Sequence, residues 1–273
     1  MASDGADDMQ AAVAVTRWRG AEAVRGVDRA AAEEPLEVRV NDAPFAVTMR
    51  TPGQDRALAV GLAVSEGIAA SPLDVYDVTC CSPEAREVGG VVTVYVPPDR
   101  APVAVRAQRY ATSSCGLCGR DTLEAALCDA PPFKGGAPAV RAAMLYTLPD
   151  RMRQAQRVFG HTGGLHAAAL FRTDGGLLYA AEDVGRHNAV DKVVGAAMLA
   201  GQWPLDGVVL MVSGRAGFEV AQKALMARIP AVCSVSAPSS LAVDLGLRAN
   251  MLLVGFLRGE TMNVYAGGER LVP

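Results

Sequence analysis

The sequence predicts an α/β fold in two parts. A smaller α+β domain spans residues 31–148 and a larger α/β domain spans 149–273, with residues 1–30 as a mobile tail. Three observations predict this. From His161 onward, apolar strands alternate with helices across short Gly- and Ser-rich loops, the pattern of parallel βαβ units with right-handed crossovers. Between Pro35 and Val96, strands of period two dominate, as in antiparallel pairs. Finally, 273 residues with 51% hydrophobic content suffice for one large or two modest buried cores.

The elements follow in chain order. Residues 1–30 mix Ala with both charge signs and hold no sustained period, which predicts a tail with a partial helix at Met9–Val15. Leu36, Val38 and Val40 alternate with Glu37, Arg39 and Asn41, so a half-buried strand starts near Pro35. Ala43–Arg50 is its hairpin partner across Asn41-Asp42. Gln54–Ile68 places Leu58, Leu62 and Ile68 on one helix face, and Tyr76–Cys80 and Val91–Val96 are further strands. Arg109–Thr147 is less regular, with a cysteine loop, a short helix and the turn-rich Pro131–Gly136. Pro149–Phe159 reads as an Arg-studded helix with Met152 and Val158 facing inward.

In the last third, Ala167–Arg172 and Leu177–Ala181 pair around Thr173–Gly176, and Asn188–Leu199 is a helix. Gly207–Val212 is a buried strand, followed by a loop and a helix to Ala227. Ala231–Val235 is the next strand, with the helix Leu241–Leu247 after it. Met251–Phe256 and Thr261–Tyr265 complete the sheet.

Composition excludes several classes of function. Lys+Arg is 26 against 29 Asp+Glu, a net charge of -3, so the basic surface of a nucleic-acid coater is absent. No apolar run approaches the roughly 20 residues that span a bilayer. The opening MASDGADDMQ has no apolar stretch of a secretory signal, so a cytoplasmic protein without membrane attachment is expected. Six Cys are too sparse for a disulfide scaffold. Lys occurs only at 134, 192 and 223 and the other basic residues are Arg, a coding bias that weakens any argument from Arg abundance.

Cys115-Gly116-Leu117-Cys118 is a single C-x-x-C. Asp121-Thr122-Leu123-Glu124 resembles a helix start, whose positive end would point back at the thiols and favour the thiolate, with Arg120 adding a cation. Four readings stand: a metal knuckle completed by Cys128 or a His, a thioredoxin-type site, thiols packed in a turn, and an exposed nucleophilic pair that carries a group between partners. A zinc ribbon would need a second pair, and adjacent Cys80-Cys81 chelate poorly. Cys80, Cys81, Cys128 and Cys233 sit in apolar segments and read as core.

Two βα loops carry the polar chemistry of the C-terminal half. Ser213-Gly214-Arg215-Ala216-Gly217 joins a buried strand to a helix, where open α/β sheets bind ligands and a helix N-terminus favours an anion. Arg215 can add a charged fork. The loop matches neither standard phosphate fingerprint, so it is weak alone. Ser236-Ala237-Pro238-Ser239-Ser240 repeats the arrangement after the next strand, and the two together predict a phosphate or nucleotide pocket. Glu182–Asn188 is the densest polar cluster, with Asp183, Arg186 and His187 the candidates for ligand contact; His166 reads as a structural hydrogen bonder. The zinc deaminase signature is absent, so no zinc is expected.

The order of these motifs resembles the formate dehydrogenase accessory sulfurtransferase family. The resemblance rests on Ser114–Gly119, Gly163–His166, Glu182–Lys192, Ser213–Arg215 and Ser236–Ser240, and covers about residues 35–267. It implies a C-terminal domain of cytidine-deaminase-like topology without the deaminase zinc ligands. It implies a sulfur carrier that takes persulfide sulfur from a cysteine desulfurase. The carrier passes that sulfur to the molybdenum bis-molybdopterin guanine dinucleotide cofactor of formate dehydrogenase, with GDP as a partial mimic of that ligand. It implies Cys115 as the persulfide-bearing thiol and Cys118 as its partner. Phe256, Leu257, Arg258, Gly259, Glu260 and Thr261 match the family's cofactor-binding stretch, joined by Ser213, Gly214, Arg215, Ser236 and Ser239. It also implies a homodimer. A cofactor chaperone without chemistry and a dithiol oxidoreductase are the competing readings.

Overall fold

The computed structural model describes residues 8–80, 90–101, 130–133 and 139–273, and the backbone of 109–111. Cys81, Cys115, Cys118, Cys128, Lys134 and the short helix expected near Asp121 lie outside the described residues.

β1 (Gln10–Arg19) and β2 (Glu22–Ala31) form an antiparallel ribbon that turns at Gly20, whose φ is 61°. The Met9–Val15 helix expected within a tail is therefore corrected to a strand. Both faces of the ribbon are largely exposed, so no apolar–polar alternation marks it in the sequence. Its signal is the β-forming Val13, Val15, Trp18, Val24 and Val27 on either side of one glycine.

β3 (Glu34–Val40) and β4 (Ala43–Arg50) pair as expected, with Leu36, Val38 and Val40 buried. Asn41 and Asp42 hold φ of 48° and 66°, as a two-residue turn with both centres left-handed requires. α1 (Asp55–Ser65) is buried from Ala57 to Ser65, where one apolar face was expected. The cause is its position, covered by strands on one side and by a helix on the other. β5 (Asp77–Cys80), β6 (Gly90–Tyr95) and β7 (Arg109–Ala111) complete a sheet of order β5-β6-β3-β4-β7. That sheet is mixed, because β3 pairs with β6 and β4 with β7 in parallel.

β8 (Val140–Arg141) leads into α2 (Ala142–Leu145) and α3 (Leu148–Ala155). The single helix expected over Pro149–Phe159 breaks before α4 (Phe159–Thr162). Glu182 causes the break: its carboxylate accepts from the amides of Val158 at 2.9 Å and Phe159 at 2.7 Å, taking them from the helix ladder. Met152 and Val158 are buried as expected.

β9 (His166–Arg172), β10 (Leu177–Asp183), α5 (Arg186–Leu199), β11 (Val208–Val212), α6 (Phe218–Met226), β12 (Ala231–Ser234), α7 (Ser240–Arg248), β13 (Leu252–Arg258) and β14 (Thr261–Ala266) build the second sheet. Its order is β10-β9-β11-β12-β13-β14. β11, β12 and β13 run parallel, flanked by antiparallel strands. β15 (Leu271–Val272) pairs with β8 and ties the C-terminus to the start of α2.

The layers run from the five-stranded sheet through α1 to α5, α6 and α7, then to the six-stranded sheet, with α2 and α3 on its far face. One apolar cluster is continuous from Leu36 and Val94 through Leu58, Val190 and Val220 to Leu253. α1 and α5 approach so closely that a Cβ on Gly61 would fall on the Asp191 carbonyl, and one on Gly195 on the Ala57 carbonyl.

Candidate functional site

The C-terminal ends of β11 and β12 carry the two loops singled out in the sequence, and the structure brings them together. Ala216 bridges to Pro238, and the Ser239 amide donates to the Ala216 carbonyl at 3.1 Å. Ser234 Oγ donates to the Gly214 carbonyl at 2.6 Å and accepts from the Ser236 amide at 2.9 Å, so one buried hydroxyl ties both loops. The Phe256 amide donates to the Ser236 carbonyl at 3.0 Å. β13 needs Gly255 there, since a Cβ would stand 2.9 Å from Pro238 Cδ.

Around this edge the polar side chains divide by role. Ser213 Oγ accepts from the Ala167 amide at 2.8 Å, and its own amide returns to the Ala167 carbonyl, so Ser213 locks β11 onto β9. Gly214 is buried against His166, whose Nδ1 would stand 3.2 Å from a Cβ on it. Burial, then the charges of Arg186 and His187, lower the pKa of His166 below its ordinary 6.5. Arg215 is exposed, Arg186 is half-buried with an unpaired Nε, and Ser239 caps α7 by accepting from the Ala242 amide at 3.3 Å.

Asp183 is wholly buried and acts as a strut. It accepts from the amides of Thr51 at 3.2 Å and Gly185 at 2.8 Å and from Asn188 Nδ2 at 3.0 Å, and pairs with Lys192 Nζ at 2.7 Å. Lys192 also donates to the Thr51 carbonyl at 2.8 Å. A second buried pair, Asp191 with Lys223 at 2.8 Å, takes a hydrogen bond from Ser65 Oγ at 2.7 Å. The Glu182–Lys192 run therefore fastens the first sheet and α1 to α5. Asp183, expected to face a ligand, has no exposed surface, because a carboxylate this deep must be saturated by protein donors.

His187 is 6% exposed and faces Glu219 across 3.6 Å from Nε2 to Oε2, just beyond a direct hydrogen bond. The facing imidazole holds the Glu219 carboxyl down to about 2. Sequence reasoning passed over Glu219. Its signal was an acid in the first turn of a helix that follows a Gly-rich loop.

The stretch Phe256–Thr261 splits in three. Phe256 is exposed with φ of 52°, and Arg258 is exposed with Nε donating to the Val235 carbonyl at 3.1 Å, both beside the Ser236 loop. Leu257 is fully buried among the apolar residues of the far sheet face, so it is not available to a ligand as expected. Gly259 and Glu260 form the turn into β14 and border an open cleft of about 930 Å³ with Tyr146, Asp150 and Arg151. Thr261 Oγ1 donates to the Arg258 carbonyl at 3.0 Å and closes that turn.

Cys233 is buried, and burial pushes its thiol up to about 12, which suits a core residue as expected. Cys80 is exposed, where a core position was expected: it shares the face of the buried Val78 but stands at the last residue of the edge strand β5.

The FdhD/NarQ family model matches residues 31–272. The sulfur carrier protein FdhD of Streptomyces coelicolor is 51% identical over 256 residues, 89% of each chain. Its namesake from Mycobacterium tuberculosis is 50% identical over 250 residues, 88% of this chain and 91% of that one. A crystal structure from Desulfotalea psychrophila, described as a formate dehydrogenase accessory protein, superposes with a TM-score of 0.78 at 23% identity. It covers 97% of this chain and all of that one, and shows the same fold. With half of its positions shared across nearly its whole length, the chain belongs to the FdhD/NarQ family.

Proposed function

We propose that the protein is a sulfur carrier that takes persulfide sulfur from a cysteine desulfurase. It delivers that sulfur to the molybdenum bis-molybdopterin guanine dinucleotide cofactor destined for formate dehydrogenase. The observation that carries this is the identity of half of its residues with proteins named sulfur carrier protein FdhD. We read the C-terminal half as cytidine-deaminase-like, an antiparallel strand pair leading into two βα crossovers. The cytoplasmic setting and the homodimer belong to the same reading.

The chemistry assigned to the thiols is exchange at sulfur. The Cys115 thiolate attacks the outer sulfur of the donor persulfide; the donor S–S bond breaks, its cysteine leaves as thiolate, and Cys115 carries the persulfide. For delivery, the Cys118 thiolate attacks Cys115 Sγ, closing a disulfide and releasing the outer sulfur as sulfide to the metal. A dithiol reductant then reopens the pair. The surroundings support this. Ala111 pairs with Thr48, and Thr48 Oγ1 donates to Asn188 Oδ1 at 3.2 Å, next to His187. Only three residues of the sequence lie between Ala111 and Cys115, a reach of at most ~14 Å when extended. The ligand is a polyanion, and helix N-termini, Arg215 and Arg258 supply local donors that the net charge of -3 hides.

Incubation with a cysteine desulfurase and cysteine, read by intact-protein and peptide mass spectrometry, should add one sulfur at Cys115 and none in Cys115→Ala. An adduct that persists in Cys115→Ala would remove the assignment. Delivery of active formate dehydrogenase by that variant would favour a chaperone.

A further inference from the structure

The β1–β2 ribbon is built of two ten-residue strands, a reach of about 33 Å. At its base α4 packs on β2, and Ala31 Cβ lies 3.4 Å from where a Cβ on Gly164 would stand. Further out, Trp18 is 68% exposed, Val24 65% and Val27 67%. A lone two-stranded ribbon is marginal in water, and this one turns its large apolar side chains outward, so it needs a cover. The register divides those side chains between two unlike faces. On one, which bears Val24, the Arg17 guanidinium crosses the ribbon. It pairs with Asp28 at 3.1 Å and donates to the Val27 carbonyl at 3.1 Å, and a Cβ on Gly26 would stand 2.8 Å from it. That face supplies its own counter-charge. On the other, Ala14, Trp18 and Val27 form an apolar strip beside Arg25 and Arg29, and no carboxylate shares it.

A cover for that second face must be partly apolar and acidic. The ribbon carries four Arg against Glu22 and Asp28, while the whole chain has a net charge of -3, so the acidic excess lies outside the ribbon. The body of a second copy offers the complementary charge. Size points the same way. One ribbon face, two strands wide, covers about 300 Å². A single ribbon laid on a partner buries about 600 Å² over both surfaces, roughly half of the smallest stable interface. Two copies that exchange ribbons across a twofold axis bury about 1,200 Å², which reaches it.

We infer that the ribbon is an exchanged arm: the Trp18–Val27 face of each copy lies on the acidic body of the other. The homodimer rests on the sulfur-carrier reading above, and the ribbon face is the surface that holds it together, with Trp18 as its anchor.

Sedimentation velocity of the full chain and of Trp18→Glu, Val27→Glu and Val24→Glu tests it. The parent chain should be a dimer, and Trp18→Glu and Val27→Glu should each raise its dissociation constant about thirtyfold or more. Val24→Glu, on the self-paired face, should stay within about twofold of the parent, which separates loss of the contact from loss of the ribbon. With a benzoylphenylalanine photo-cross-linker in place of Trp18 and a mixture of heavy-nitrogen-labelled and unlabelled chains, cross-links should join one label to the other. Cross-links confined to one chain, a dimer as tight in Trp18→Glu as in the parent, or an equal loss in Val24→Glu would overturn the inference and leave the homodimer standing. A parent chain that is monomeric at micromolar concentrations would remove the homodimer itself, and the inference with it.

Discussion

His166 illustrates how a single residue is set by its surroundings. It is half-buried against Gly214, and burial with the nearby Arg186 charge favours its neutral form. The NMR titration midpoint of its imidazole should lie below 6.5; a midpoint at or above 6.5 would contradict the packing. The sign for stability follows. The unfolded chain takes the proton first as pH falls, so His166 contributes stability above pH 6.5 that is lost below it. The sequence marked His166 as structural and His187 as a candidate for ligand contact; in the structure His166 packs on Gly214, and His187 is buried facing Glu219 at 3.6 Å. It could not mark Glu219, because a first-turn acid is ordinary in any helix. Only the fold places a buried imidazole 3.6 Å behind it. Nor could it separate Asp183 from Arg186, three positions apart in one polar run. Burial made the first a strut and left the second half-exposed.

Among elements, strands were the most legible. Alternation located β3 and β4 within a residue or so, and continuous apolar runs located β11, β12 and β13. The β1–β2 ribbon was illegible because period two needs one buried face, and this ribbon has none. The break between α3 and α4 was hidden because its cause, Glu182, lies more than twenty residues away in sequence. The α1–α5 contact was hidden in the same way. Gly61 and Gly195 look like weak points in two helices, yet each makes room for the opposite backbone. Gly195→Ala should lower stability by about 1–3 kcal/mol in urea unfolding, from forced separation of the helices. An unchanged midpoint would show that the helices can part freely.

At the scale of the molecule, the apolar core does not stop where the two halves of the sequence meet. It runs from the five-stranded sheet through α1 and α5 into the six-stranded sheet. Two buried Lys–Asp pairs, Lys192 with Asp183 and Lys223 with Asp191, pin that junction. The halves should therefore unfold together, in one calorimetric transition with matching van't Hoff and calorimetric enthalpies. Two resolved transitions would show the junction to be weaker than its packing implies.

The amino-acid sequence by itself determined the strand–loop–helix grammar of the C-terminal half, the two Ser-rich loops and the family motifs, because periodicity and turn chemistry are local properties. The tertiary structure alone decided which polar residues face outward. It turned the Glu182–Lys192 run into a clamp, sent Leu257 into the core and set Glu219 beside the buried His187. Burial and partner distance arise from segments far apart in the chain, and no local pattern encodes them.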